Sequence, residues 1–193
     1  VSMITVTMAE KLTDTISTEN VVASTSIGQE LDLEALCYDL LGVEYDPSEF
    51  PDIVYRIQDP KSTCLIYRSG RIVCTGAGSI KQVNEAFHSA FDDFRDLGIE
   101  IGGPDIFVVN VVSCADVRSS VNLNAAAIGL GLESVEYEPE QFAGLVYRPS
   151  EHGVVILLFS SGKVVITGAT ETETPPKALK SFHADLESLG LLS

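Results

Sequence analysis

Few side chains in this 193-residue chain are spaced for covalent or metal chemistry. None of the three histidines, His88, His152 and His183, has neighbours at a spacing that suggests a metal site. The four cysteines, Cys37, Cys64, Cys74 and Cys114, include no Cys-x-x-Cys pair, so neither a zinc site nor a disulfide framework is expected. Serine, histidine and aspartate are present without a nucleophile elbow or a paired-acid frame. Gly76-Ala77-Gly78 is too short for a phosphate loop. Enzyme activity is therefore not expected, and no cofactor is called for. What recurs along the chain is a set of asparagine, threonine, aromatic and arginine positions whose spacing is repeated.

Residues 45–76 read YDPSEFPDIVYR…LIYRSGRIVCTG and residues 137–168 read YEPEQFAGLVYR…LLFSSGKVVITG. Without gaps, 12 of these 32 positions are identical, where average composition gives about two by chance. Upstream, ENVVAS at 19–24 matches VNVVSC at 109–114 at an offset of 90 rather than 92, so a two-residue insertion in the second copy lies between the blocks. A solenoid needs three or more repeats; two copies suggest a pseudo-twofold domain. The organisation expected is a poorly ordered leader over residues 1–18, then copies at 19–102 and 103–193.

The elements that hold these positions read alike in both copies. Strands are expected at Asn20–Ser26 and Phe107–Cys114, followed by short helices near Leu31–Leu41 and Leu123–Leu130. Further strands are expected at Ile53–Gln58, Thr63–Tyr67 and Arg71–Thr75, matched by Leu145–Arg148, Val154–Phe159 and Lys163–Thr167. Ser69-Gly70 and Ser161-Gly162 supply tight turns. A long helix closes each copy. Ser79 with Gln82 has capping-box spacing, and Ala86, Phe87, Ala90, Phe91 and Phe94 form the apolar stripe. Pro175-Pro176 fits a first helical turn, and Leu179, Phe182, Leu186 and Leu189 form the second stripe.

Strand alternation carries the functional information. Cys64, Ile66, Ile72 and Cys74 project to one face, and Leu65, Tyr67, Val73 and Thr75 to the other. Leu157, Phe159, Val165 and Thr167 take the matching places in the second copy. A sheet with one face in water should be polar on that face, yet both faces are largely apolar. Helices cover one; the other binds something broad or is buried in a homodimer.

Composition sets further bounds. Hydrophobic residues make up 45% of the chain, enough for a core, and no run of 18 apolar residues exists to span a membrane. The formal charge is −16, which at face value disfavours a polyanionic partner. Charge is unevenly placed, however. Arg56, Lys61, Arg68 and Arg71 against Asp59 in residues 53–77, with Arg148 and Lys163 against Glu151 in residues 145–169, give the hairpin segments a net +4; the remainder carries −20. Dispersed acids with only six lysines suit a protein kept soluble in concentrated salt, so a halophilic cytoplasm is the expected setting.

The two Tyr-x-Pro-x-x-Phe motifs, the two Tyr-Arg pairs and the two hairpins ending Thr-Gly resemble the archaeal TATA-box-binding protein family, over Glu19 to about Leu189. The resemblance implies an α+β saddle: a curved ten-stranded antiparallel sheet with four helices on its convex face and promoter DNA gripped at the minor groove by the concave one. It implies that Asn20 and Asn110 meet the central base steps, with Thr75 and Thr167 beside them. Val22, Val73, Val112 and Val165 match the apolar floor, with Leu65 and Leu157 next to the wedges. Phe50, Phe142 and Phe159 match wedge phenylalanines, and Tyr67 occupies the fourth wedge position. Arg56, Lys61, Arg71, Arg148 and Lys163 stand where the family holds phosphates. Glu138 and Glu140 stand where it docks transcription factor B, with RNA polymerase recruited indirectly, so the expected location is the nucleoid. Insertion of apolar wedges with a large kink is the general mechanism for this family. The chemistry is consistent: an apolar floor with two asparagine and two threonine donors fits the acceptors of A·T pairs and clashes with the guanine amine.

Three positions depart from the family pattern. Tyr67 puts a hydroxyl at a wedge tip, Ser150-Glu151-His152-Gly153 replaces a basic stretch, and Gln141 replaces a leucine. The first two motivate an alternative, a divergent paralogue acting as a regulatory protein adaptor with weak DNA affinity. A small-ligand carrier is a third class, against which the matched Asn and Thr pairs argue.

Overall fold

The computed structural model of the chain describes residues 12–192. Those residues divide into two units, one of residues 20–110 and one of residues 111–192 with the described residues before Asn20. Of the expected leader, residues 1–11 lie outside the described residues; Leu12 is buried, and Ser17 and Thr18 already belong to a strand.

The first copy is built from β1 (Ser17–Ser26), α1 (Leu33–Asp39), β2 (Val43–Asp46), β3 (Phe50–Gln58), β4 (Lys61–Ile66), β5 (Arg71–Ala77) and α2 (Ile80–Asp96), its strands ordered β2-β3-β4-β5-β1. The second has β6 (Phe107–Asp116), α3 (Leu123–Leu130), β7 (Val135–Glu136), β8 (Leu145–Tyr147), β9 (Val155–Leu158), β10 (Lys163–Ala169) and α4 (Thr174–Ser188), ordered β6-β10-β9-β8-β7. The strand pairs within each unit are antiparallel. β2 and β7 are absent from the strands placed by periodicity, because four and two residues are too few to show an alternation. The two-residue insertion falls at the end of α3: helix starts Leu33 and Leu123 differ by 90, and strand starts Val43 and Val135 by 92.

Local chemistry sets the helix starts. Asp32 Oδ1 accepts from Glu34 N and Ala35 N, both at 3.1 Å, and Asn122 Oδ1 accepts from Ala125 N at 3.1 Å. Each satisfies amides that the first turn leaves without partners. Ser79 caps α2 by accepting from Gln82 N at 3.1 Å. The reciprocal bond of the expected capping box is displaced by one residue: Gln82 Oε1 accepts from Gly78 N at 2.9 Å. α4 has no side-chain cap and starts on Pro175 and Pro176, whose missing N–H groups cost nothing there.

Period-2 alternation partitions the faces as expected. Val21, Ala23, Ile53, Tyr55, Cys64, Ile66, Ile72 and Cys74 are buried in one cluster with the α2 stripe of Val83, Ala86, Phe87, Ala90, Phe91 and Phe94. Burial of each such phenylalanine contributes about 1.5–3 kcal/mol. In the second unit Leu145, Ile156, Leu158, Val164 and Ile166 are buried, as are Leu179, Phe182 and Leu186 of α4. Leu189 is the exception to that stripe. It is the C-cap residue of α4 and 41% exposed. Among the described residues no helix is long and apolar enough to cross a membrane.

Candidate nucleic-acid interface

The face of each half-sheet opposite its long helix holds the residues singled out by spacing. In the first unit Val22, Leu65 and Val73 lie there half-buried, with Leu65 opposite Val73 and Thr63 opposite Thr75 in the ladder. Apolar side chains, rather than the polar ones a solvated face calls for, thus floor the open side.

Asn20 and Thr75 form a coupled pair on that floor. Asn20 Oδ1 accepts from Gly76 N at 2.8 Å, and its Nδ2 donates to Thr75 Oγ1 at 3.0 Å. The backbone donor fixes which way the amide faces. An amide nitrogen carries two hydrogens, so one remains for an outside acceptor. β1 and β5 shift register between Val21 and Ala23, and Gly76 has φ of 90° in the adjoining strand. A side chain rarely adopts that backbone. The irregularity brings Gly76 N onto the Asn20 side chain, a contact 56 residues apart that no local pattern announces. In the matching register of the second copy, Asn110 ends the residues of the first unit and Thr167 lies in β10; both are half-buried.

The aromatic positions differ between the units. Phe142 and Phe159 pack edge to face, with ring centroids 5.8 Å apart and planes at 72°. Gly144 makes room for them: a Cβ there would lie 2.7 Å from Phe142 Cε1 and 3.1 Å from Phe159 Cε1. Gln141 N and Phe142 N both donate to Glu138 O, at 2.9 and 3.0 Å, so a tight turn aims Phe142 outward at 41% exposure. In the first unit Phe50 is 40% exposed at the start of β3, and Tyr67 follows β4, with the Arg71 guanidinium 5.8 Å from its ring centroid. Arg71 Nε also donates to Ser24 Oγ at 3.3 Å.

Arg56 and Arg148 are occupied. Arg56 donates from Nε and Nη2 to Glu44 at 2.9 and 3.1 Å, and Arg148 donates from the same two nitrogens to Glu136 Oε1, both at 3.4 Å. Each pair joins β2 to β3 or the edge β7 to the end of β8, at an identical separation of 12 residues. The Arg56 hydrogen bond and charge hold the Glu44 carboxyl below its usual range and raise Arg56 in turn. Sequence spacing placed the two arginines but not their glutamates, because strands β2 and β7 were not visible. Lys61 and Lys163 are exposed, as are Glu138 and Glu140.

The second copy lacks a counterpart of Lys61. Its β8–β9 connection runs through Ser150, Glu151, His152 and Gly153, with His152 at φ 67° and Gly153 at 61°. His152 Nε2 lies 3.4 Å from Ser181 Oγ on α4 and 3.9 Å from Glu151 Oε2. Val155 and Leu157 resume the ladder on the open face, with Leu157 opposite Val165; these three and Val112 of β6 are half-buried.

The comparisons with known proteins agree on one family. A family profile described as "Transcription factor TFIID (or TATA-binding protein, TBP)" matches residues 15–97 and 105–189. The TATA-box-binding protein of Haloarcula marismortui is 57% identical over 180 residues, covering 93% of this chain and 97% of that one. TATA-box-binding protein F of Halobacterium salinarum is 56% identical, covering 94% and 98%. The solved structure of Methanococcus jannaschii TBP superposes with a TM-score of 0.80 at 42% identity, covering 90% of this chain and 99% of that one. That likeness bears out the fold class expected from the sequence, and the haloarchaeal relatives match the composition reading.

Proposed function

The chain belongs to the TATA-binding protein family, and on that premise we propose that it is a general transcription factor that binds and bends A·T-rich promoter DNA. The open apolar face meets the minor groove. Asn20, Asn110, Thr75 and Thr167 face the acceptors of the central steps, over a floor of Val22, Val73, Val112 and Val165. Phe50, Phe142, Phe159 and Tyr67, beside Leu65 and Leu157, wedge the outer steps, and unstacking of a few kcal/mol per step is offset by the wider contact. Lys61, Arg71 and Lys163 hold phosphates, joined by Arg56 and Arg148 once these exchange their glutamates for the DNA backbone. Glu138 and Glu140 then dock transcription factor B, which brings RNA polymerase to cytoplasmic, nucleoid DNA.

The observation that carries this reading is the Asn20–Thr75–Gly76 arrangement on an apolar floor. A side-chain amide held by a backbone donor presents a fixed N–H beside small apolar residues, and A·T pairs offer acceptors without the guanine amine in the way.

Fluorescence anisotropy at high salt tests it, with a TATA-like duplex and a G·C-substituted control, each with and without transcription factor B. Selective binding of the A·T duplex, strengthened by the second protein, is expected. Equal or absent binding in every arm contradicts the reading and leaves a protein adaptor in its place.

A further inference from the structure

Cys64 and Cys74 face each other across β4 and β5 and are both 0% exposed, within the cluster that includes Val83 and Phe87 of α2. The hairpin opens with Tyr67 N donating to Arg71 O at 2.9 Å, which makes Tyr67/Arg71 a hydrogen-bonded pair. Antiparallel pairs alternate between bonded and non-bonded. Counting from Tyr67/Arg71, Leu65/Val73 is bonded, whereas Ile66/Ile72 and Cys64/Cys74 are not. Non-bonded pairs are the closer kind, with Cα atoms about 4.5 Å apart, inside the roughly 4.4–6.8 Å that a disulfide spans. The thiols also interact. The neighbouring Cys74 thiol first, then burial, pushes Cys64 up, while Cys64 holds the Cys74 thiol below its ordinary range against burial.

The second unit shows that packing does not require sulfur here. Ile156 and Ile166, 92 residues on, form the same opposed pair and are both 0% exposed. An aliphatic pair fills one copy and a dithiol the other.

We propose that Cys64 and Cys74 form an oxidative modification site, closed to a cross-strand disulfide by hydrogen peroxide. The Cys74 thiolate attacks the peroxide oxygen and becomes a sulfenic acid, releasing one water after proton uptake. Cys64 sulfur then attacks the sulfenyl sulfur and releases a second water. Two S–H bonds are lost, one S–S bond forms, and the peroxide O–O bond is reduced. Bridging ties together the two strands whose other faces carry Leu65, Tyr67, Val73 and Thr75. The site stands whether or not that face binds DNA, since its readouts need no DNA.

The reduced full chain is exposed to hydrogen peroxide under native high-salt conditions, then unfolded and alkylated. Trypsin cleavage after Lys61, Arg68, Arg71 and Lys81 puts the cysteines on separate peptides, Ser62–Arg68 and Ile72–Lys81. The expected product is these two peptides linked, released again by a dithiol reductant. Recovery of both as free alkylated thiols, as separate sulfinic acids, or linked to Cys37 or Cys114 overturns the proposal. The C64I/C74I variant copies the pair of the second unit and is expected to keep the native circular dichroism. Peroxide is expected to slow amide exchange across β4 and β5 in the parent and not in this variant; equal change in both, or none in either, also overturns it.

Discussion

At the scale of single residues, the open faces of the two units are not equivalent. Phe142 and Phe159 support each other edge to face through the space left by Gly144, whereas Tyr67 carries a hydroxyl and lies against Arg71. On the proposed function, a wedge already packed on a second ring loses less freedom when it enters a base step. Phe142→Ala and Phe159→Ala are therefore expected to reduce DNA bending more than Tyr67→Ala does. Energy-transfer bend angles check this, and equal losses in all three would remove the distinction. The arginine pairs give a second expectation. On the proposed function, Arg56 leaves Glu44 for phosphate and the freed carboxylate takes up a solution cation, an exchange that Glu44→Gln removes. Affinity at low salt is expected to rise, and the slope of log K against log salt to steepen by about one, because no cation uptake then offsets the counterion that the Arg56 contact releases. An unchanged slope would show that Arg56 stays away from the backbone of the duplex.

At the scale of elements, the helices and hairpins are held by a few identifiable contacts. Ser79 is the side-chain N-cap of α2, so Ser79→Ala is expected to cost about 1 kcal/mol in denaturant unfolding. Gly70 has φ 82°, and a Cβ there would meet Gln29 O at 2.0 Å. Gly70→Ala is expected to destabilise by about 2 kcal/mol or more, from the left-handed backbone and the clash together. Tyr55 ties β3 to α2 by donating its hydroxyl to Asp93. Burial first, then the Asp93 hydrogen bond and charge, push the phenol well above its ordinary value. The unfolded chain then gives up this proton first, so the stabilisation is complete below about pH 10 and is lost as pH rises beyond it. Tyr55→Phe is expected to cost ~1–2 kcal/mol at neutral pH and to flatten the alkaline fall, as urea midpoints measured across that range will show.

At the scale of the whole molecule, the −16 charge and the DNA-facing role are reconciled by placement, though less generously than the sequence suggests. Two of the six cations in the hairpin segments are engaged by Glu44 and Glu136 from outside those segments. Few phosphate cations release few counterions, and acids beside the interface favour uptake of solution cations. DNA affinity is therefore expected to hold or rise with salt; a titration in which it falls steeply contradicts this.

Much of the fold is legible in the amino-acid sequence. The repeat, the assignment of Cys64, Ile66, Ile72 and Cys74 to one face and Leu65, Val73 and Thr75 to the other, the α2 stripe and the bounds of α3 all follow from periodicities of 2 and 3.6 and from capping residues, which are properties of neighbouring residues. Leu189 misled because a helical spacing continues past the point where the helix stops. The residues that decide the chemistry of the site were a different matter. That Glu44 holds Arg56, that Gly76 orients Asn20, that Gly144 seats two rings and that Cys64 opposes Cys74 depend on ladder register, strand irregularities and loop paths. These bring together side chains that no local period relates. The chain's own pattern determined which faces exist and what kind of residue lines them. Only the tertiary structure decided which donors are free, because a hydrogen bond is settled by a partner's position within about 3 Å and that position is set by pairing across the sheet.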